Sequence, residues 1–471
     1  MEMFGKSVLL AAAACVLTPM QAYGQSATDL VALRGLAPVT VLANTTEGKA
    51  ALAANYTVTG GIQTGVMRQS TLLPFAEQQQ QALRDASITS GNLEQLADGL
   101  GTTLGAAYVA RAHYSDPHDF TSVSDSVANL IAYALAVSGI NSNSGKYFFA
   151  NATTDGKNAV STQVMEILKQ NAGVTDVFGK SYGLPAGNTG ADAYGNSRPF
   201  QTEPSVLAII GSDYFNVVAS NTVYNRGPIM DLTNSPSFPS GHTTYGYTGV
   251  LLLAILVPER YQQMIVRGAE YGNDRIIVGA HYAMDVMGGR TLALYDMAHL
   301  LANDPAYVGQ QVKGVPTIKD FPAAIKTARD QVTAALQAAC GNTIEECSRE
   351  DHSRFSNPAA NEAFYADTQT YNLSVVYPKQ SNNTENVGKL APEAGYLLTV
   401  AFPSLTLEQA DRILTETEGP GGGFLDEGSS FGVYSRLNLY AAAGRAAALV
   451  SELTSDASRA KSPQKRKAAN N

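Results

Sequence analysis

Residues 235–259 read SPSFPSGHTTYGYTGVLLLAILVPE, and residues 260–302 read RYQQMIVRGAEYGNDRIIVGAHYAMDVMGGRTLALYDMAHLLA. Apolar and small residues recur every three or four positions in both segments, and the alternation typical of a β-strand is nearly absent. The apolar run Val250–Val257 stops at Pro258, well short of the about 18 continuous apolar residues that span a bilayer. We therefore predict a mainly α-helical protein in which this run is a buried helix.

The chain before these segments also has helical patterning, with breaks. Leu93–Tyr114 keeps apolar or small residues at spacings of three and four, and Asn92 is placed to cap its first turn. Ser124–Ile140 starts with a serine or aspartate cap and is apolar nearly all round, which suits the middle of a helix bundle. Asn158–Gln170 is a further candidate helix. Gly179–Asn196 is dense in glycine, proline, asparagine and serine, and we predict a long surface loop there.

The length of 471 residues allows one large domain or two to three smaller ones. The sequence becomes more polar after about residue 305, and it ends in a short basic segment. The predicted division is a signal peptide at 1–24, a helical domain at 25–305 with its motif core at 93–301, an α-rich C-terminal extension at 306–455 and a disordered basic tail at 456–471.

The N-terminal residues predict export. Met1–Lys6 is a short basic start, Ser7–Thr18 is apolar, and residues 22–24 (AYG) are typical of a cleavage site with small residues. A lipoprotein signal ending at Cys15 is the alternative, but the apolar run continues past that cysteine. We expect a periplasmic or secreted protein with no integral membrane span once the signal is removed.

Two cysteines remain after the signal peptide. Cys340 and Cys347 lie in CGNTIEEC, and an even pair in an exported chain predicts a disulfide. A metal site would need more ligands than this pair, and none cluster beside it in the sequence.

The composition narrows the function classes. The 32 Lys and Arg residues against 41 Asp and Glu residues give a net charge of -9 and a pI near 5.2. This balance argues against a general nucleic-acid binder, and it requires any anion site to be local, because the surface as a whole repels anions. A hydrophobic fraction of 45% with 15% charged residues excludes a disordered chain and a coiled-coil rod. The oligomeric state is not readable from the sequence.

Three short clusters can be interpreted as parts of a site for a phosphate-like anion: RPF at 198–200, PSGH at 239–242, and DRIIVGAHYAMD at 274–285. The proline of PSGH precedes an apolar helical run, so Ser240, Gly241 and His242 would lie at the first turn of a helix. Free N–H groups and the helix dipole favour bound anions at that position. The glycine lets an oxyanion approach the backbone closely.

The third cluster supplies a candidate nucleophile. His281 and Asp285 are four residues apart, so on one helix they would share a face, and the carboxylate would fix the imidazole tautomer. One ring nitrogen of His281 would then be a directed nucleophile. Arg198 and Arg275 supply planar, permanently charged guanidinium groups that match the oxygens of a phosphoryl group. His242 would be the proton donor to the leaving alcohol.

This pattern resembles the superfamily of type 2 phosphatidic acid phosphatases, bacterial class A acid phosphatases and vanadium haloperoxidases. Its signature is a Lys, six residues and Arg-Pro, then Pro-Ser-Gly-His, then Ser-Arg, five residues, His, three residues and Asp. Three segments of this sequence fall in register with it: Arg198-Pro199, Pro239 to His242, and Arg275 with His281 and Asp285. The resemblance covers about Leu93–Leu301, and RGAEYGNDRIIVGAHYAMDV looks most like the soluble acid phosphatases.

The resemblance implies a helix-bundle catalytic core that hydrolyses phosphomonoesters through a phosphohistidine, without a metal or other cofactor and with sensitivity to vanadate. It implies that His281 is the nucleophile, that Asp285 orients it and that His242 is the general acid. The implied phosphate cradle consists of Arg198, Ser240, Gly241 and Arg275. The expected substrate is a small phosphorylated compound whose identity the sequence does not specify.

Two positions depart from the signature. Ala191 stands where the superfamily has its phosphate-binding lysine, and Asp274 stands where it has the serine before the last arginine. Lys180, in the same predicted loop, is a candidate replacement for the lysine. We interpret Asp274 as a surface carboxylate.

Other interpretations stay open on the sequence alone. A vanadate-dependent haloperoxidase would use the same pocket with vanadate as its cofactor. A non-catalytic anion-binding protein is a second alternative, because the lysine is missing at position 191. A structural reading is that PSGH only starts a helix around a buried histidine, and that Asp285 is only an intrahelical partner of His281.

Overall fold

The computed structural model describes residues 27–67, 70–112, 122–149, 198–202, 206–221, 232 and 237–461 of the 471-residue chain. Helices make up most of these residues and strands very few, which confirms the predicted mainly α-helical fold. The predicted signal peptide, the candidate helix Asn158–Gln170 and the predicted loop Gly179–Asn196, with Lys180 and Ala191 in it, lie outside the described residues.

The longer helices, in chain order, are α1 (Ala27–Leu36), α2 (Thr46–Thr64), α3 (Phe75–Asp85), α4 (Thr102–Ala112), α5 (Asp125–Phe149), α6 (Gly241–Leu256), α7 (Tyr261–Ile277), α8 (Ala283–Leu301), α9 (Phe321–Cys340), α10 (Ile344–Arg349), α11 (Pro358–Thr370), α12 (Leu407–Glu416), α13 (Ser430–Arg436) and α14 (Leu439–Lys461). Single helical turns occupy Pro199–Thr202, Val387–Leu390 and Tyr396–Thr399, and 3-10 turns occupy Ala37–Asn44, Leu93–Leu100, Pro258–Arg260 and Pro392–Gly395. An antiparallel hairpin pairs β1 (Ile210–Ser212) with β2 (Val218–Ser220), with Gly211 opposite Ala219.

Helices α6, α7 and α8 form the centre of the bundle, and α5 packs beside α6. The predicted buried helix is α6, and the whole apolar run Val250–Val257 is buried. Ser240 caps α6, since its hydroxyl accepts the Thr243 N–H at 3.0 Å. A side chain at Gly246 of α6 would overlap the ring of Tyr271 on α7, so this glycine lets the two helices pack closely.

The prediction of one helix over Leu93–Tyr114 is wrong in its first part. Leu93–Leu100 is a 3-10 turn, and α4 begins only at Thr102. Gly101 separates the two with a φ of +95°, a conformation that other residues rarely adopt. The periodic pattern therefore predicted buried residues on both sides of Gly101 correctly, but it did not predict the break at this glycine.

Asn92 does not cap this segment, which corrects a second prediction. Its side chain accepts the Thr89 N–H at 2.6 Å and donates to the Ser87 carbonyl at 3.1 Å. These local hydrogen bonds close the preceding turn and compete with the capping role. At the next predicted helix the cap is confirmed, because Ser124 Oγ accepts the Val127 N–H at 3.3 Å at the start of α5.

The C-terminal extension shares the hydrophobic core of the preceding domain. The same buried cluster contains Leu36 and Leu251 from one side of residue 305, and Leu397 and Ala446 from the other. Helix α14 packs against α7, and α13 packs against α8. The predicted boundary at 305 therefore separates two parts of the chain that fold around one core.

The predicted disulfide between Cys340 and Cys347 is present, with Cα atoms 6.4 Å apart at the turn from α9 to α10. The predicted disordered tail, 456–471, needs a correction at its start, because α14 continues to Lys461. The residues DASRAK at this point include good helix formers, which lets the helix extend into the basic segment.

None of the helices that the structure describes combines the length and the apolarity that crossing a bilayer requires. Helix α6, with 16 residues, is followed directly by the turn at Pro258–Arg260.

Candidate active site

His281 lies in the short connection between α7 and α8. Helix α7 ends at Ile277, Gly279 adopts a φ of +81°, and α8 begins at Ala283. His281 and Asp285 therefore do not share a face of one continuous helix, which corrects the sequence-based prediction. The left-handed glycine turns the chain, and Asp285 becomes the third residue of the next helix.

His281 and Asp285 nevertheless meet, directly and through a third residue. Nδ1 of His281 lies 3.4 Å from Oδ2 of Asp285, and both side chains are fully buried. Ser237 Oγ lies 3.2 Å from the same ring nitrogen and hydrogen bonds to the same carboxylate oxygen. The Tyr282 N–H also donates to that oxygen, at 2.8 Å. The sequence-based prediction missed Ser237, because no spacing rule distinguishes a serine two residues before Pro239.

The other ring nitrogen of His281 faces two basic side chains. Nε2 lies 3.1 Å from Nη1 of Arg198 and 3.0 Å from Nδ1 of His242. A guanidinium can only donate a hydrogen bond, so Nε2 accepts and the ring proton lies on Nδ1, towards Ser237 and Asp285. This tautomer presents a lone pair at Nε2, as a nucleophile requires.

Arg198 is fixed beside His281 by the backbone. Its Nη1 also donates to the Ala280 carbonyl at 3.0 Å, and the Phe200 N–H donates to the Gly279 carbonyl at 3.0 Å. The guanidinium is completely buried. A permanent positive charge at this depth favours an anion next to Nε2.

The residues of PSGH occupy the start of α6, as predicted. Ser240 is the cap residue, Gly241 is the first helical residue and His242 the second. The Ser240 N–H donates to the backbone carbonyl of Asp285 at 3.0 Å, which links this turn to α8. The rings of His242 and His281 have centroids 5.2 Å apart. The positive end of the α6 dipole therefore lies beside the candidate nucleophile.

Arg275 is held by Asp85 and Tyr271 through its guanidinium. Its Nη2 donates to the backbone carbonyl of Asp85, and its guanidinium lies over the Tyr271 ring at 4.5 Å from the centroid. Its own carbonyl accepts the His281 N–H at 3.2 Å. The contacts described for the guanidinium are thus with Asp85 and Tyr271, and a role of Arg275 in a phosphate cradle is a prediction from the sequence.

Tyr245 lies beside the general-acid candidate, and the charges of both arginines act on its phenol. Burial raises the pKa of the Tyr245 phenol, and the charges of Arg275 and Arg198 oppose this rise. The ring centroid of Tyr245 is 5.6 Å from that of His242, and its hydroxyl donates to the Ile88 carbonyl at 3.3 Å. Tyr245 is therefore a second site residue that the sequence-based prediction missed, although it lies one helical turn after His242.

Asp274 is buried, which corrects its interpretation as a surface carboxylate. Burial raises the pKa of Asp274 well above its usual range, and the negative charges of Asp85 and Glu270 add to this effect. Asp274 hydrogen bonds to Asp85, whose pKa is lowered by Arg267 although burial works in the opposite direction. Asp274 is therefore the protonated partner, and its carboxyl O–H donates a hydrogen bond to the carboxylate of Asp85. Two carboxyl groups can be buried in contact because they share one proton in this way.

Within the described ranges, no three His, Cys, Asp or Glu side chains come together as ligands for a metal ion. Arg198, His242 and Asp285 are charged or titratable groups in contact with the His281 ring.

The segment that carries these residues is similar to a known protein family. Residues 192–302 match the family model described as the PAP2 superfamily. The chain is 44% identical to the non-specific acid phosphatase of Salmonella typhimurium over 69 residues, which are 15% of this chain and 28% of that protein. It is 42% identical to the acid phosphatase of Zymomonas mobilis subsp. mobilis over 64 residues, 14% of this chain and 24% of that protein.

A third relative is the non-specific acid phosphatase of Providencia stuartii, 38% identical over 72 residues, 15% of this chain and 29% of that protein. The chain therefore matches between 24% and 29% of the length of these relatives. The predicted catalytic and phosphate-binding residues all fall inside 192–302, the segment that matches the PAP2 superfamily model: Arg198, Ser240, Gly241, His242, Arg275, His281 and Asp285.

Proposed function

We propose that this protein is an exported phosphatase that hydrolyses small phosphomonoesters through a phosphohistidine at His281. One observation carries the proposal. Nε2 of His281 lies against Arg198 and His242, while Nδ1 lies against Ser237 and Asp285. The relatives that match this chain are named acid phosphatases, which supports the same reaction class.

In the first step, the lone pair on Nε2 of His281 attacks phosphorus, and the bond from phosphorus to the leaving alcohol oxygen breaks. His242 gives its proton to that oxygen, because an alkoxide is a poor leaving group. Arg198 and the first turn of α6 bind the phosphoryl oxygens, where negative charge is concentrated. The imidazole becomes positive, and Asp285 stabilises it directly and through Ser237.

In the second step, a water molecule attacks phosphorus on the opposite side from the histidine. His242, left neutral by the first step, takes a proton from that water. The bond between phosphorus and Nε2 of His281 breaks, which releases inorganic phosphate and restores the lone pair. Neither step needs a metal ion. Vanadate, which adopts the five-coordinate geometry of the transition state, is expected to inhibit.

Export is the second part of the proposal. The disulfide between Cys340 and Cys347 supports it, because disulfides persist in oxidising compartments and are rare in the cytosol. The test is to fractionate the producing cells and sequence the N-terminus of the mature protein. A chain found only in the cytosol with its first residues intact contradicts export.

Hydrolysis of an aryl phosphate by the purified protein tests the reaction. The assay contains a chelator and covers pH 4 to about 8, where unperturbed carboxylates and histidines titrate. We expect hydrolysis that vanadate blocks and that His281→Ala abolishes, and a quenched phosphoenzyme that is stable in alkali and labile in acid. His352→Ala removes an exposed histidine and serves as the matched control.

Two other outcomes would replace the proposal. Halide oxidation in the presence of vanadate and peroxide, without hydrolysis, would assign the protein to the haloperoxidases. Binding of phosphate without turnover in either assay would indicate a non-catalytic anion-binding protein. Hydrolysis that survives His281→Ala would show that the nucleophile is another group.

A further inference from the structure

Helix α2 lies outside the motif region and makes two hydrogen bonds to the start of α8. Thr59 Oγ1 accepts the Ala283 N–H at 3.1 Å, and Asn55 Oδ1 accepts the Met284 N–H at 2.9 Å. Both side chains are 0% exposed, and their spacing of four residues places them on one face of α2. Helix α2 thus supplies acceptors for the first two amides of the helix that carries Asp285.

These acceptors matter because of where Asp285 stands. The first N–H groups of a helix lack partners within the helix. An acidic residue at the third position commonly turns back to bind the start of its own helix. Asp285 occupies this position in α8, and its Oδ2 already accepts the Tyr282 N–H at 2.8 Å. Without other acceptors, the amides of Ala283 and Met284 would compete for this carboxylate and draw it away from His281.

We propose that Thr59 and Asn55 are positioning residues for the reaction at His281. By binding the α8 amides, they leave the carboxylate of Asp285 to Ser237 and His281. The inference rests on the proposed function for its kinetic readout, but the placement of Asp285 can also be followed without turnover.

The pH at which His281 becomes protonated depends on the position of Asp285. Three charged or titratable groups of the described residues contact its ring at distances of 3.0 to 3.4 Å, namely Arg198, His242 and Asp285. Among these three groups, Asp285 is the one whose negative charge stabilises the protonated ring, and it stands on the helix whose start is bound by α2. A displaced Asp285 therefore moves the protonation of His281 to lower pH. The acid limb of the kcat/KM profile moves in the same direction, because the nucleophile must be neutral.

Three variants of α2 test the proposal in the full-length mature protein. Thr59→Val removes the acceptor at nearly constant volume, and Thr59→Ser keeps it. Thr57→Val changes a threonine on the exposed face of the same helix and is the matched control. Aryl phosphate kinetics give kcat and the pH profile. NMR titration of the histidine rings, assigned with His281→Ala, gives the protonation midpoint, and melting curves give the folded fraction.

For Thr59→Val we expect kcat to fall by about 10-fold to 100-fold with little change in KM, because small misplacements near the nucleophile are costly. The acid limb and the NMR midpoint of His281 should move down by roughly 0.5 to 1 pH unit. Thr59→Ser and Thr57→Val should behave like the wild-type protein.

An unchanged kcat and midpoint in Thr59→Val overturns the proposal. Activity lost only in proportion to the folded fraction, with the midpoint unmoved, also overturns it, because the hydroxyl would then be a purely structural cap. If the wild-type protein does not hydrolyse the aryl phosphate but Thr59→Val still lowers the midpoint, the proposed function fails while the positioning of Asp285 by α2 stands.

Discussion

The hydroxyl of Ser237 donates a hydrogen bond to the carboxylate of Asp285. A serine has a single hydroxyl proton, so the same oxygen can only accept from Nδ1 of His281, which lies 3.2 Å away. Two hydrogen bonds in series therefore connect the imidazole to the carboxylate, and each polarises the other in a buried site. The direct distance between His281 and Asp285 is longer, at 3.4 Å. Ser237 is thus the closer of the two contacts to Nδ1.

This geometry predicts that loss of the Ser237 hydroxyl and loss of the Asp285 charge lower kcat by different amounts. We expect Ser237→Ala to lower kcat about 10-fold, because the remaining direct contact is long for a strong hydrogen bond. Asp285→Asn also removes the charge and should lower kcat by about 100-fold or more. Ser348→Ala, on α10, is the control. Aryl phosphate kinetics check the order, and a wild-type rate in Ser237→Ala would show that the direct contact alone is sufficient.

The residues around the nucleophile could be predicted to different degrees from the sequence. Arg198 and His242 stand in short motifs whose chemistry is visible in the residue types, and the structure places both next to His281. Ser237 and Tyr245 have no such signature, because their roles depend on which side chains face them after folding.

Backbone geometry and long-range packing explain the rest of the difference. Spacing suggested one helix through His281 and Asp285, but the positive φ of Gly279 breaks it, and a glycine is compatible with both outcomes. Thr59 is separated from its partner Ala283 by 224 positions, and a single sequence contains no pattern that pairs them. Asp274 was predicted to be a surface carboxylate because the sequence does not show that it meets Asp85. Its raised pKa depends on burial and on this contact, and both exist only in the folded protein.

Asp274 leads to a prediction about stability and pH. Its pKa is raised in the folded state, so the folded protein holds a proton that the unfolded chain loses above its ordinary carboxyl range, near pH 4. The stability that this group contributes is complete below that range and is lost as pH rises towards the folded-state pKa. Asn can donate to Asp85 at any pH. We therefore expect Asp274→Asn to gain about 1 kcal/mol in unfolding free energy at pH 8, the order of one pKa unit.

Urea unfolding at about pH 4.5, close to the ordinary carboxyl range, and at about pH 8, well above it, measures this difference. The gain of Asp274→Asn should shrink at the lower pH. Asp330→Asn, which changes an exposed carboxylate on α9, should differ little from wild type at either pH. A gain for Asp274→Asn that does not depend on pH would contradict the shared proton.

The ion pairs of Arg354 connect the C-terminal extension to residues that precede it in the chain. It donates to Glu270 on α7 at 2.6 Å and to Asp98 at 2.8 Å, and its side chain is 15% exposed. Burial raises the pKa of Glu270, and Arg354 opposes this rise. Arg354→Met leaves these carboxylates without that partner, and we expect unfolding free energy to fall by about 3 kcal/mol at pH 7 and by less in acid.

Arg349→Met is the matched control for Arg354, because Arg349 pairs with Glu345 on the surface and its side chain is 69% exposed. We expect a change of about 0.5 kcal/mol or less for this variant. Urea unfolding monitored by circular dichroism compares the two. Equal effects of the two substitutions would show that the contact between Arg354 and α7 adds nothing to the shared core.

Gly289 controls the distance between the two helices that carry the site. A side chain on this residue of α8 would overlap the backbone carbonyl oxygen of Ser240, while the Ser240 N–H donates to the Asp285 carbonyl at 3.0 Å. Gly289→Ala must therefore separate the start of α6 from α8 and move His242 away from His281. We expect kcat to fall by about 100-fold, the cost of a displacement of about 1 Å near the reacting atoms.

A substitution at a second helical glycine distinguishes the displacement of α6 from a change in helix propensity. Gly139 on α5 has open space where its side chain would be, with nothing within 4 Å. Gly139→Ala should keep full activity and melt at a slightly higher temperature, because alanine favours a helix by about 1 kcal/mol over glycine. Gly289→Ala gains the same propensity, so a loss of kcat confined to that variant must come from the contact with Ser240. If both variants hydrolyse the aryl phosphate at the wild-type rate, the spacing of α6 and α8 does not set the geometry between His242 and His281.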